Sequence, residues 1–574
     1  MGIIANQGYC EGLELLLKLK APSRLAAKDA TLFSFDEEAQ EQAARLMGWT
    51  TLCSNPPMPI HEIVELAEQI RAEGLDTVVL IGQGGSTQAS MTITKLHELE
   101  SSEVAFKTMD SLSPVFVNHI LGSSDPARTL YVLSSKSGST VEPVLLERIV
   151  RHYVRAHLGA AEAGKRFVAI TDPGSDLERL ALEKGYRAIL HSPVDVGGRF
   201  SALSVFALFP MALVGIDIEA AIEETRKTES LCSQDNTENP ALILSCFLYD
   251  GYQNGRDKFS VVLPPSGQVF GLWIEQLVAE SLGKQGKGIL PNVEVDASVL
   301  SFPHEDRSAI CYAVGHDEGY QESICCINSN IPSLNFTIDN ATQVLSHFVI
   351  WEFAITFLGI MLNVNPFNQP DVELTKTLVK EILYDDEKAE LPAADADTIA
   401  IYNFADDSGY VRAMRISRSL LDEEFDASVD QALRRLLGSM EPGDYFSLNA
   451  FLPFRGIGRR EALERMRNRV ASRLGAVSCL EIGPRYLHST GQLHKGGPNN
   501  GVFLLLSAEE ENDIAIPRED FTLGELAIAQ AQGDFEALAS RGRRTLHVHL
   551  CDNDSETLSR FADRFCAAVS AIKV

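Results

Sequence analysis

Two hydrophobic periods alternate along the chain. Stretches with apolar residues at i, i+3/i+4 and i+7 predict amphipathic helices, and short unbroken apolar runs closed by glycine or hydroxyl residues predict strands buried on both faces. A helix from His61 to Glu73 leads into Asp76-Thr-Val-Val-Leu-Ile81, which ends in Gly82-Gln-Gly-Gly-Ser86. The run Thr129-Leu-Tyr-Val-Leu133 enters Ser134-Ser-Lys-Ser-Gly-Ser-Thr140 and then a helix from Val144 to His157. A third run, Arg166-Phe-Val-Ala-Ile170, breaks at Thr171-Asp-Pro-Gly-Ser175, and Asp176 opens another helix. This alternation predicts parallel βαβ units, in which ligands bind outside the carboxyl ends of the strands. Both hydroxyl-rich loops fall at that edge.

The same alternation recurs twice more. Residues 1–60 read as a helical extension packed on the first domain, with helices around Gly12 to Lys18 and Asp36 to Met47. Residues 61–215 form the first α/β domain. From Asp217 a helical bridge opens a second domain, 216–392, with a strand at Lys258 to Leu263, a helix through Trp273 and Glu280, and strands near Ala309 to Val314 and Ile324 to Ile327. An apolar helix from Ala341 to Leu362 then runs into Asn363-Val-Asn-Pro-Phe-Asn-Gln369-Pro-Asp-Val-Glu-Leu-Thr-Lys376. Pro370 suits a first helical position, which makes Gln369 the cap and sets Lys376 about two turns inside. The acidic, small-residue stretch Leu391 to Asp397 is the expected linker to a third domain, 393–574. There strands at Ile399 to Phe404, Tyr445 to Phe451, Val502 to Leu506 and Thr545 to Leu550 alternate with helices, and a polar loop spans Leu487 to Pro498. The expected class is α/β in three layers: two doubly wound parallel-sheet domains and a C-terminal α/β domain.

Composition narrows the function. The 574 residues are 45% hydrophobic and 22% charged, as in soluble globular proteins, and exceed what one core supports. The apolar runs read as too short or too interrupted to span a bilayer, and no signal peptide is recognised, so a cytoplasmic protein without membrane attachment is expected. Ten cysteines with no Cys-x-x-Cys spacing read as reduced thiols. The net charge of −29 argues against nucleic acid or anionic lipid as partners. A phosphate would have to be gripped locally, by backbone N–H groups, hydroxyls and a few cations.

Chemistry centres on Glu280. On a helix Trp273, Leu277 and Glu280 share one face, so the carboxylate either snorkels from the stripe's edge or is a buried group suited to proton transfer. Gly197-Gly-Arg-Phe-Ser201 can bend tightly enough to aim Arg199 inward, or can be a turn with a solvated arginine. Gly82-Gln-Gly-Gly-Ser86 is out of register with a dinucleotide fingerprint, which disfavours a nicotinamide site.

Ser135-Lys-Ser-Gly-Ser-Thr140 has the Ser-x-Ser-Gly-x-Thr form of sugar isomerase (SIS) domains. Together with Gly85-Ser86, Gly197-Gly-Arg-Phe-Ser201, Gln276-Leu-Val-Ala-Glu-Ser-Leu-Gly-Lys284 and Asn365 to Lys376, it resembles the glucose-6-phosphate isomerase family in motif order and spacing, over residues 75–380. Residues 24–50 and the third domain are similar to the isomerase half of bacterial transaldolase and glucose-6-phosphate isomerase fusion proteins, without the transaldolase half. The resemblance implies SIS-type domains, a sugar-phosphate substrate, a homodimer, and no cofactor or metal. It implies Glu280 as the base between C2 and C1, Arg199 stabilising the enediolate, and Lys376 assisting ring opening. Gly85, Ser86, Ser135, Lys136, Ser137, Thr140, Gln276 and Gln369 would hold the phosphate and sugar. The family's ring-opening histidine normally lies between the base and the lysine, in Leu-His-Ser-Met-Gly-Gln. Here the matching Leu487-His-Ser-Thr-Gly-Gln492 follows Lys376, which makes His488 the first choice, with His494 and Lys495 as neighbours, and His304 the competitor. Broader use of mannose 6-phosphate and a catalytically silent sugar-phosphate sensor are the alternatives.

Overall fold

The computed structural model describes residues 11–98, 104–294, 296–302, 304–315, 327–384, 398–404, 409–454 and 458–573. The linker at 391–397 and all but Ile327 of the strand expected near Ile324 to Ile327 lie outside them. The chain forms two compact units. The first comprises Met1–Asp110, Ile120–Leu282 and Ile289–Asn368; the second takes Ser111–His119, Gly283–Gly288 and Gln369–Val574.

In the first unit, strands β1 (Thr77–Gly82), β2 (Ala105–Met109), β3 (Thr129–Ser134), β4 (Phe167–Thr171) and β5 (Ala188–His191) form an all-parallel sheet in the order β2-β1-β3-β4-β5. The chain moves one way from β1 to β2 and the other way from β3 onward, so the crevice of a doubly wound sheet opens between the carboxyl ends of β1 and β3. The register pairs Gly82 with Ser134, which sets the two hydroxyl-rich loops side by side at that crevice. A second parallel sheet, β7-β6-β8-β9, is built from β6 (Lys258–Val262), β7 (Leu290–Glu294), β8 (Arg307–Val314) and β9 (Ser333–Ile338). Strands β2, β5, β7 and β9 were not read from the sequence. β9 exposes alternate residues, β2 is only partly buried and includes Lys107 and Thr108, β5 is four residues long and β7 includes Pro291, Asn292 and Glu294, so none makes the unbroken apolar run of a central strand.

One continuous core runs through this unit, from Leu16 to Phe367, and includes apolar residues facing both sheets. The helix Val344–Leu362 lies in it, buried along nearly its whole length. Ala341–Leu362 is in fact long and apolar enough to cross a bilayer, contrary to the expectation that no run is, but 94% of its apolar window is buried inside the unit. Its apolar character serves the core on all sides. The first helix, Glu11–Leu19, packs on this helix and on Pro240–Gln253, with Gly12 against Met361 and Tyr249. The Glu280 helix, Gln268–Leu282, is likewise buried nearly all round: the Trp273 and Phe348 rings are 4.4 Å apart and the Phe270 and Tyr312 rings 5.1 Å. Its apolar residues therefore fix it in place, rather than forming a single stripe.

The second unit carries β10 (Ile399–Asn403), β11 (Val411–Ser417), β12 (Tyr445–Phe451), β13 (Val477–Ile482), β14 (Gly501–Ala508) and β15 (Arg544–Leu550), in the order β10-β11-β15-β14-β12-β13. β10, β11 and β15 pair antiparallel and the rest parallel. One face, with Leu448, Leu504, Leu506 and Val548, packs on the helices Arg459–Leu474 and Ser555–Ala571. The opposite face is also buried but mixed, with Ser447, Asn449, Ser507 and His547 among Phe503 and Leu505. The stretch from Leu487, expected to be a polar loop, instead folds into a 3-10 turn, Arg485–His488, and a short helix, Gly491–Gly496, with Gln492, His494 and Lys495 almost fully buried. Two of them have buried acidic partners: Asp534 accepts from Lys495 Nζ at 2.6 Å, as it does from the nearby Tyr486 Oη at 2.6 Å, and Asp371 accepts from Gln492 Nε2 at 2.7 Å. Among the described residues the seven cysteines form no disulfide, and four of them are buried.

Two outcomes follow. Trp273→Ala should cost about 3–5 kcal/mol of stability in urea denaturation, by loss of burial and the cavity left under the Glu280 helix. Burial pushes the carboxyl of Glu481, at the end of β13, up to about 7, with Arg485 opposing the shift. A carboxyl raised on folding stabilises below its unfolded value and loses that contribution as pH rises through the folded one. Denaturation should therefore show stability falling between about pH 4.5 and about pH 7, and Glu481→Gln should flatten that segment.

Candidate functional site

The crevice between β1 and β3 is edged by two turns. Gly84–Ser86 is a single 3-10 turn, and Ser134 Oγ donates to the Ser86 carbonyl at 2.8 Å, tying the two loops together. The Gly84–Ser86 turn also approaches Gly198–Phe200, the 3-10 turn that carries Arg199. A Cβ on Gly85 would stand 2.2 Å from the Gly198 carbonyl oxygen and 2.9 Å from the Arg199 nitrogen, so only glycine permits this approach. Ser201 Oγ donates to Gly198 O at 2.6 Å and braces the turn from the other side.

Arg199 points inward. Its Nη2 donates to the carbonyls of Pro366 at 2.9 Å and Asn368 at 2.8 Å, and its Nη1 meets Glu280 Oε1 at 2.9 Å. The side chains of the pair are 5% and 13% exposed. The guanidinium is therefore spent on protein acceptors and one carboxylate, which excludes the reading of a solvated arginine. Burial pulls its pKa below the ordinary arginine value, and Glu280 opposes that pull. Gln276, one turn before Glu280, donates Nε2 to Glu280 Oε2 at 3.1 Å. Both carboxylate oxygens thus have a partner, and Glu280 is held by charge and by a carboxamide instead of snorkelling to water. This cluster brings together Gly85, Arg199, Gln276 and Glu280, with Ser86 on the neighbouring turn.

The second loop is a hydroxyl-lined helix entrance. Ser135 is buried, and its Oγ accepts from the Gly138 N–H at 3.2 Å; the Ser137 and Ser139 hydroxyls lie 2.8 Å apart and exposed. Thr140 is the N-cap of the helix Val141–Leu158 and makes no side-chain cap bond, so the loop presents hydroxyls at a positive helix end. Lys136 has local partners: its Nζ lies 2.7 Å from Asp172 and 2.9 Å from the Pro193 carbonyl. Asp172 was not singled out from the sequence, and neither were the Pro366 and Asn368 carbonyls that orient Arg199. The motif Asn365-Pro-Phe-Asn was visible, but which of its backbone atoms face an arginine is not written in residue type.

The remaining candidates fall in other places. His304 is half-buried in the first unit, its Nε2 3.1 Å from the Val299 carbonyl, and burial lowers its pKa. Gln369, Lys376 and His488 belong to the second unit. The helix carrying Lys376 runs Val372–Tyr384, two residues later than expected, with Pro370 and Asp371 in the turn before it; Gln369 and Lys376 are exposed. His488 ends the 3-10 turn Arg485–His488 and is half-buried.

Comparison with known proteins agrees with this geometry. Residues 67–303 match the family described as phosphoglucose isomerase. The chain is 31% identical over 402 residues to a glucose-6-phosphate isomerase of Staphylococcus epidermidis, covering 60% of this chain and 89% of the relative. It is 27% identical over 389 residues to one from Mycoplasmopsis pulmonis, covering 59% and 90%. In fold it is similar to the crystal structure of a glucose-6-phosphate isomerase from Chlamydia trachomatis, with a TM-score of 0.55 at 19% identity over 66% of this chain and 87% of that one. With most of the length of a 31%-identical relative matched and the crevice, Arg199 and Glu280 in place, the chain belongs to the phosphoglucose isomerase family.

Proposed function

We propose that the protein interconverts D-glucose 6-phosphate and D-fructose 6-phosphate through a cis-enediolate, with Glu280 as the base. The observation that carries this reading is the buried Arg199–Glu280 pair at 2.9 Å beside a hydroxyl-lined helix entrance. A sugar-phosphate sensor needs only the hydroxyl-lined loop, whereas an isomerase also needs a carboxylate and a cation at the carbon that reacts.

The chemistry balances within the substrate. Ser86, Ser135, Ser137, Thr140, Lys136 and Gln369 hold the phosphate and adjacent oxygens, so that binding energy far from C1 and C2 orients the reacting end. Lys376 and His488 open the ring by moving a proton between the ring oxygen and the anomeric hydroxyl. Glu280 removes the C2 proton of the aldose and returns it to C1, while the hydroxyl proton passes from O2 to O1; C1 is reduced as C2 is oxidised. The guanidinium of Arg199 lowers the energy of the enediolate between the two transfers. We further read the second unit, with Leu487-His-Ser-Thr-Gly-Gln492, as the counterpart of the isomerase half of transaldolase fusion proteins, and the active assembly as a homodimer, which light scattering on the purified protein tests.

In a coupled assay of fructose 6-phosphate isomerisation, Glu280→Gln should lose roughly two to four orders of magnitude in kcat. The isostere is chosen because removing one partner of a buried pair outright costs about 3–5 kcal/mol of stability and would confound the result. Full activity in Glu280→Gln would overturn the mechanism. Gly85→Ala should displace the Arg199 turn and lower kcat about a hundredfold, while thermal melting reports an intact fold. For ring opening, His488→Ala should slow turnover of the cyclic sugar by about a hundredfold and spare an open-chain analogue. The same selective loss in His304→Ala, with His488→Ala unaffected, would transfer the role to His304.

A further inference from the structure

Within the second unit, three chain segments meet at one buried side chain. Gln492, four residues after His488, is fully buried, and all of its amide is engaged. Its Nε2 donates to the Gly283 carbonyl at 3.0 Å and to Asp371 Oδ2 at 2.7 Å, and its Oε1 accepts the Asp371 backbone N–H at 3.0 Å. Asp371 stands immediately before the Lys376 helix, and its other oxygen takes Arg541 Nη2 at 2.6 Å. The Gly286 N–H donates to the Gly496 carbonyl at 2.9 Å and closes the junction. No side chain fits at Gly496: a Cβ there would lie 2.4 Å from Asp371 Oδ2, 2.7 Å from Gln492 Nε2 and 2.7 Å from Gly283 O.

We propose that Gln492 is a positioning residue for ring opening, the bond that sets the turn carrying His488 in register with the helix carrying Lys376. The proposal rests on the reading that these two residues open the ring. Its basis is the match of donors and acceptors. A carboxamide is the only neutral side chain of this length that can donate twice and accept once, so it satisfies a carbonyl, a carboxylate and a peptide N–H at a single point. Leucine or methionine would leave Gly283 O and the Asp371 N–H unsatisfied, and glutamate would set two carboxylates together. Because these segments converge on it, loss of this residue releases the turn from the helix, while its bonds to Gly283 and Asp371 include neither Glu280 nor Arg199. Acid–base transfer is sensitive to such displacements, since about 1 Å of misplacement costs about a hundredfold in rate.

The test compares two substrates. Fructose 6-phosphate must open its ring, and 5-deoxyfructose 6-phosphate, which lacks the ring-closing hydroxyl, does not. Gln492→Met should lower kcat on fructose 6-phosphate by about tenfold to a hundredfold, with KM changed by less than about threefold, and leave kcat on the 5-deoxy sugar within about twofold. Arg541→Gln removes the neighbouring bond from a half-exposed arginine and should show the same selectivity at about twofold to fivefold, which decides the matter if Gln492→Met does not fold. Equal losses on both substrates, or none in the folded variants, would overturn the proposal. His488→Ala and Lys376→Ala measured alongside separate the two failures: if neither discriminates between the sugars, the ring-opening reading itself fails, whereas discrimination by them but not by Gln492→Met removes only Gln492.

Discussion

The geometry of the first unit turns on one guanidinium. Arg199 is buried, and a buried cation is tolerated only where it is paired and hydrogen-bonded. Here the acceptors are the Pro366 and Asn368 carbonyls and the Glu280 carboxylate. Each lies on a different part of the chain: a turn after the Val344–Leu362 helix, and the last turn of the Gln268–Leu282 helix. Satisfying Arg199 therefore fixes Glu280, and the same bond leaves a cation beside that carboxylate, as the proposed enediolate chemistry requires.

The rest of the unit serves that constraint. The parallel sheet β2-β1-β3-β4-β5 opens its crevice where the Gly84–Ser86 and Ser135–Thr140 loops emerge, and the glycine at position 85 lets the first loop touch the Arg199 turn. The Glu280 helix is buried nearly all round by apolar contacts, so its charged end has little freedom to relax away. Rigid support for a few charged groups is what electrostatic catalysis requires, because dipoles that must reorganise during the reaction waste their advantage. The second unit repeats the principle with two ion pairs, each joined by a neutral group: Asp534 gathers Lys495 and Tyr486, and Asp371 gathers Arg541 and Gln492. Both carboxylates organise backbone turns that no apolar pattern would specify.

Much of this was legible in residue order. The central strands β1, β3, β4 and β14 carry unbroken apolar runs and β6 and β12 mostly apolar ones, and the two hydroxyl loops stand out because glycine and hydroxyl residues close β1 and β3. Glu280 was legible as a carboxylate among apolar neighbours. The peripheral strands were not, because a strand covered on one side, or only four residues long, makes too weak a pattern. The Leu487 to Pro498 stretch reads as solvated because its composition is polar, yet Gln492 and Lys495 are buried against Asp371 and Asp534, partners that residue type alone does not reveal.

The sequence by itself determined the α/β alternation, the carboxyl-edge location of the loops and the identity of the residues able to do acid–base chemistry, since these follow from local period and residue type. Only the tertiary structure decided which partner each took. Arg199 chose two carbonyls and Glu280, Lys136 chose Asp172, and Gln492 chose Gly283 and Asp371, all across long sequence separations. Such pairings are settled by the cost of leaving buried charges and amides without partners, a condition on the whole packed unit that no single stretch of sequence can express.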